Sequence, residues 1–98
     1  MIVNICGVPH KVVECENALD GAVQGEITYK DCLIKINKDM SDYEKKETLC
    51  HEMVHGIFVH LGYNDYADNE QLVQALGNAI YQGFTVKEYK DNEMCIKF

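Results

Sequence analysis

The sequence predicts an α+β fold, a small antiparallel sheet packed on one long helix and on a second helix that follows it. Three observations carry this expectation. Apolar and polar residues alternate in short runs as far as Asn37, the apolar spacing changes to a helical period at Ser41, and a second helix-start sequence appears at Asp68-Asn69-Glu70-Gln71.

Each element has its own local grounds. Ile2 to Ile5, Lys11 to Glu14, Glu26 to Tyr29 and Cys32 to Ile36 read as strands, with Gly7-Val8-Pro9 and Asp20-Gly21 as turn signals. Ile27 and Tyr29 on one run, with Cys32, Ile34 and Ile36 on the next, predict a hairpin closing near Lys30-Asp31. Ser41-Asp42-Tyr43-Glu44 is a capping-box sequence, in which the serine hydroxyl accepts an amide hydrogen bond and the glutamate reaches back, so a helix starts there. That helix ends at Gly62 and places Cys50, Val54, Ile57, Phe58 and Leu61 on one apolar face. The second helix takes Asp68 as its cap and buries Leu72 or Val73, Leu76, Ala79 or Ile80, and Phe84. Glu70, Gln74, Gly77 and Tyr81 form a neighbouring stripe, where Gly77 permits the two helices to approach closely. Residues 85–98 carry no assignable pattern. With no repeat and no linker, residues 1–98 are expected to form a single domain.

Composition narrows the partners. Apolar residues at 47% and charged ones at 26% are ordinary for a folded globular chain. Nine basic against sixteen acidic residues give a net charge of −7, which repels phosphate backbones, and no lysine cluster overrides it, so nucleic acid is not an expected partner. There is neither a leader-like segment nor an apolar run of spanning length, so a cytoplasmic protein without a membrane partner is expected. Five cysteines without a Cys-x-x-Cys pair are expected to be reduced, packed thiols, with Cys50 and Cys95 the two whose positions warrant a closer look.

The most specific feature is His51-Glu52-Met53-Val54-His55. Four residues of helix advance about 400° and rise about 6 Å, so the two imidazoles lie one turn apart on nearly the same side and can grip one zinc ion, with Glu52 placed to handle a water proton. With four histidines and nine glutamates, composition alone would yield the pattern in a fraction of roughly 0.014 of such chains. A third ligand is needed. His60 is rotated about 140° from His55 and reads as a surface histidine, while Phe58 and Leu61 stand where the metzincin pattern needs glycine and histidine. His10 lies far upstream. Among carboxylates Glu70 is best placed, because it opens the helix expected to pack beside the first; Asp68 and Asp65 remain alternatives, and Glu88 and Glu93 lie in the unassigned tail.

These residues resemble the compact gluzincins, the minigluzincins and ImmA/IrrE-type zinc peptidases, including short phage-borne forms. The resemblance runs from about Gly25 to Phe84 and rests on a strand pair (Gly25 to Asn37), on Glu47-Thr48-Leu49-Cys50-His51-Glu52-Met53-Val54-His55-Gly56, and on Asn69 to Leu76. It implies a zincin-like fold with His51, His55 and Glu70 as zinc ligands, Glu52 as general base, and Cys32 to Asn37 as an edge strand along which an extended protein or peptide substrate lies. The fuller pattern often has aspartate or asparagine four residues after the ligand glutamate, where this chain has Gln74. The implied activity is that of a zinc endopeptidase, with Tyr29, Tyr63 or Tyr66 as oxyanion donor. The competing expectation is an inactive zinc-containing binding or regulatory module. A tail folding back so that Glu93 or Cys95 takes the fourth zinc position is a further expectation. Neither the natural substrate nor the oligomeric state is legible.

Overall fold

The computed structural model describes residues 1–16 and 24–90. Among these residues four strands, β1 (Ile2–Ile5), β2 (Val8–Cys15), β3 (Gly25–Thr28) and β4 (Leu33–Asn37), precede three helices, α1 (Asp42–His60), α2 (Asn64–Ala67) and α3 (Glu70–Gly83). The α+β class is as the sequence predicts, but the sheet is mixed, with order β1-β2-β4-β3. β1/β2 and β3/β4 are antiparallel hairpins, while β2 and β4 run parallel with Val12 opposite Ile34. Strand alternation fixes which face a residue occupies and not which strand lies beside it, so the parallel join between hairpins has no local signal.

The expected edge strand is corrected by the same topology. β4 lies inside the sheet between β2 and β3, and among the described residues β3 has the open edge. Cys6 and Gly7, with φ of 51° and 84°, make the two-residue turn of the first hairpin, so Val8 and Pro9 belong to β2 and not to a turn. Pro9 is tolerated there because β4 begins pairing with β2 only at Lys11, and its missing N–H takes no ladder bond from that side. The second hairpin closes through residues 29–32, where the Cys32 N–H donates to the Tyr29 carbonyl (3.2 Å). The proposed Asp20-Gly21 turn lies outside the described residues.

Val3, Ile5, Val12, Ile34, Ile36 and Leu49 form the core between the sheet and α1, with Met53 and Ile57 packed against it. Each fully buried aliphatic side chain contributes about 1.5–3 kcal/mol, so this cluster anchors α1 on the sheet. The capping box forms: Ser41 Oγ accepts from the Glu44 N–H (3.2 Å) and donates to Glu44 Oε1 (3.0 Å). α1 closes at Gly62, φ 84°, with the Tyr63 N–H donating to the Phe58 carbonyl (2.8 Å). The cap of α3 is Asn69, whose Oδ1 accepts from the Leu72 N–H (3.1 Å); Asp68 instead ends α2.

α3 buries Val73 and Gly77, whereas Leu76 and Phe84 are exposed, as is Leu61 beyond α1. The stripe around Gly77 therefore makes the helix contact. A Cβ at Gly77 would stand 3.1 Å from His51 Cα and 3.2 Å from its backbone nitrogen. After α3 the chain crosses to the far side of the sheet, where Tyr89 exchanges two 2.8 Å backbone hydrogen bonds with Ile2 of β1. Among the described residues no helix is long and apolar enough to cross a membrane.

Candidate metal centre

α1 carries His51, Glu52 and His55 along the wall of an open cleft of about 570 Å³, and α3 supplies Glu70 and Gln74 to the same wall. The opposite wall is β3 with Tyr29 just beyond it. The close approach at Gly77 brings the first turn of α3 beside the middle of α1. His51 Nε2 then lies 3.1 Å from Glu70 Oε2, His55 Nε2 lies 3.0 Å from Glu70 Oε1, and the two Nε2 atoms are 3.2 Å apart.

Three electron-pair donors this close need a cation or a proton among them. The hydrogen bonding of His51 indicates which atom is free. Its Nδ1–H donates to Gln74 Oε1 at 2.7 Å, which leaves Nε2 with its lone pair facing His55 and Glu70. The amide of Gln74 is oriented in turn, because its Nε2 donates to Glu47 Oε1 (3.3 Å) and Asn78 Oδ1 (3.0 Å). Bonds of about 2.0–2.1 Å in a tetrahedral arrangement separate neighbouring ligand atoms by about 3.3 Å, close to the spacings found here. Two imidazoles and one carboxylate are also the donor set of catalytic zinc sites, so the residues fit that ion. Among the described residues this is the one group of three or more His, Cys, Asp or Glu side chains with metal-ligating geometry.

Glu52 lies beside the triad, with one carboxylate oxygen 4.0 Å from His51 Nε2, and is only 7% exposed. Burial pushes its carboxyl above the usual range, while the neighbouring imidazoles pull the other way. Tyr29 is the tyrosine in the cleft. Burial and then the negative charges of Glu52, Asp68 and Glu70 raise its hydroxyl. Tyr63 and Tyr66 stack on each other along a separate surface, and Tyr81 packs edge-on against Tyr43.

The other sequence candidates fall elsewhere. Asp65 sits in the first turn of α2, Asp68 at its end, and neither joins the group that can hold a metal. Glu88 borders grooves away from the cleft, and Glu93 and Cys95 lie outside the described residues. His60 is exposed and not isolated: its Nε2 lies 3.4 Å from that of His10, which is fully buried and whose Nδ1–H donates to the Val8 carbonyl (2.8 Å). Cys50 is a packed thiol pushed up by burial. Sequence reasoning missed Glu47 as part of the cleft and Gly25 as its closest wall. A glycine opening a strand pattern was the available signal for the second.

No family model, no curated protein and no solved structure matches this chain. Its class therefore rests on geometry: a compact zincin-like α+β fold in which a His-Glu-x-x-His helix and a glutamate from the following helix form a triad of the gluzincin type.

Proposed function

We propose that this protein is a zinc-dependent endopeptidase of the compact kind typified by minigluzincins and ImmA/IrrE-type peptidases, with His51, His55 and Glu70 as ligands and Glu52 as general base. One observation carries the reading: a nine-tenths buried carboxylate, Glu52, stands beside three converging ligand atoms in a cleft bordered by β3, which has a strand neighbour on one side only among the described residues. A single-domain, cytoplasmic protein acting on other proteins or peptides fits that reading.

A zinc ion held there supplies Lewis-acid chemistry, polarising a peptide carbonyl and acidifying a water molecule. The chain's own groups do the rest. Glu52 accepts the water proton at its carboxylate and delivers it to the leaving amine; its position beside the ligand atoms and its burial from bulk water suit a group that must hold a proton between the two steps. Gln74 keeps His51 in the tautomer that presents Nε2. Tyr29, its hydroxyl kept protonated, donates to the oxygen that becomes negative as the carbonyl is attacked. The backbone of β3 pairs with an extended substrate by strand addition.

The test uses zinc-loaded protein and an unstructured protein substrate. Cleavage is expected, and Glu52→Gln is expected to retain zinc while losing about 10²–10⁴-fold in rate. A Glu52→Gln protein that cleaves as fast as the parent, or a fully zinc-loaded parent that cleaves nothing, refutes the proposal.

A further inference from the structure

The two walls of the cleft run in matched order. A Cβ at Gly25 would stand 2.6 Å from Thr48 Cγ2 and 3.5 Å from Glu52 Cγ, and one at Gly56 would stand 3.2 Å from Ile27 Cδ1. The start of β3 therefore faces the start of the cleft-lining part of α1, and Ile27 faces the turn after His55, with the triad between. The ends differ in chemistry. At the first end lies the carboxylate of Glu47, with Glu26 on the adjoining strand; at the second lie Ile27 and Tyr29. Among the described residues no lysine lines the cleft, and the sequence contains no arginine. Glu26 is partly offset by Lys35 Nζ at 3.9 Å. Among the described residues the hydrogen-bond donors to Glu47 are neutral, the Gln74 amide and the Tyr43 hydroxyl. A bound dication offsets Glu52 and Glu70 at the centre and leaves Glu47 as the dominant charge of the first end.

We infer, resting on the endopeptidase reading, that the cleft selects substrates by charge on one side of the scissile bond: a lysine or arginine at the Gly25/Glu47 end, with an apolar residue toward Ile27 and Tyr29. A cation about 4 Å from a carboxylate gains roughly fivefold in occupancy even at the dielectric of water, and more where water is partly excluded. A glutamate placed there is disfavoured by a similar factor, so a lysine-to-glutamate exchange is expected to change recognition by about tenfold or more.

Two measurements on one peptide set test this. Peptides differing only in a Lys, Ala or Glu residue, placed on either side of the cleaved bond, are compared for kcat/KM with the zinc-loaded protein. The same peptides are compared for affinity, by fluorescence anisotropy, with the zinc-loaded Glu52→Gln protein. The expected result is a Lys-over-Glu preference of about tenfold on one side only, shrinking as salt is raised and reduced in Glu47→Gln, whose amide oxygen can still accept from Gln74. Equal handling of Lys and Glu, or an equal preference on both sides, overturns the inference. Because binding is read separately, selective binding without cleavage refutes the endopeptidase reading alone, and cleavage without charge preference refutes only this one.

Discussion

His51 is held at Nδ1 by Gln74, while its Nε2 faces the other converging ligand atoms. Replacing Gln74 with alanine removes the acceptor that fixes tautomer and ring plane, so zinc affinity is expected to fall about 10–100-fold in a chelator competition, with the fold unchanged by circular dichroism. An unchanged affinity would show that the hydrogen bond does not orient the ligand. Glu52 gives a second residue-scale expectation. Its carboxylate is buried beside Glu70, so in metal-free protein Glu52→Gln removes a desolvated charge and is expected to raise the melting temperature; a lower one would mean that the carboxylate stabilises the fold. At this scale the helix motif was legible, because spacing along a helix decides its geometry without help from elsewhere. Gln74 was not, because its role depends on how closely α3 approaches α1, and any acceptor that reaches the Nδ1–H serves as well as the expected aspartate or asparagine.

Among the elements, the second hairpin and the long helix α1 follow from local signals, the Tyr29–Cys32 turn and the Ser41 cap; the start of α3 is legible to within a residue, with Asn69 and not Asp68 as its cap, and Gly7 marks a turn without naming the hairpin it closes. What the signals left open was which face of α3 turns inward. Sorting by apolarity pointed to Leu76 and Phe84, yet both are exposed, because contact at Gly77 depends on a missing side chain and lets the backbones meet. Gly77→Ala tests that contact. The added methyl meets the backbone of His51, which cannot yield as a side-chain tip can, so a loss of about 1–3 kcal/mol in urea unfolding is expected, together with weaker zinc binding as Glu70 is pushed from His51. Unaltered stability and affinity would mean that the helices are not in close contact there. The strand order is a similar case: a parallel join between two hairpins leaves no mark on either, and the resemblance implies β4 as the edge strand, whereas among the described residues the open edge belongs to β3.

For the molecule as a whole, the ligands come from two helices that are otherwise joined by a short connection through α2, so a bound ion cross-links α1 and α3. Zinc that binds only the folded form stabilises it by about 4 kcal/mol at a thousandfold excess over Kd. In a domain of this size that corresponds to a rise in melting temperature on the order of ten degrees or more, reversed by chelator and absent in His51→Ala. An equal rise in His51→Ala would place the stabilising ion elsewhere, for example at the His10 and His60 pair.

If His51, His55 and Glu70 together hold one zinc ion, anomalous diffraction at the zinc absorption edge from zinc-loaded crystals is expected to show one strong peak, about 2.0–2.2 Å from both Nε2 atoms and from a Glu70 carboxylate oxygen. A peak bound by other residues, with this triad bare in fully loaded protein, would contradict it.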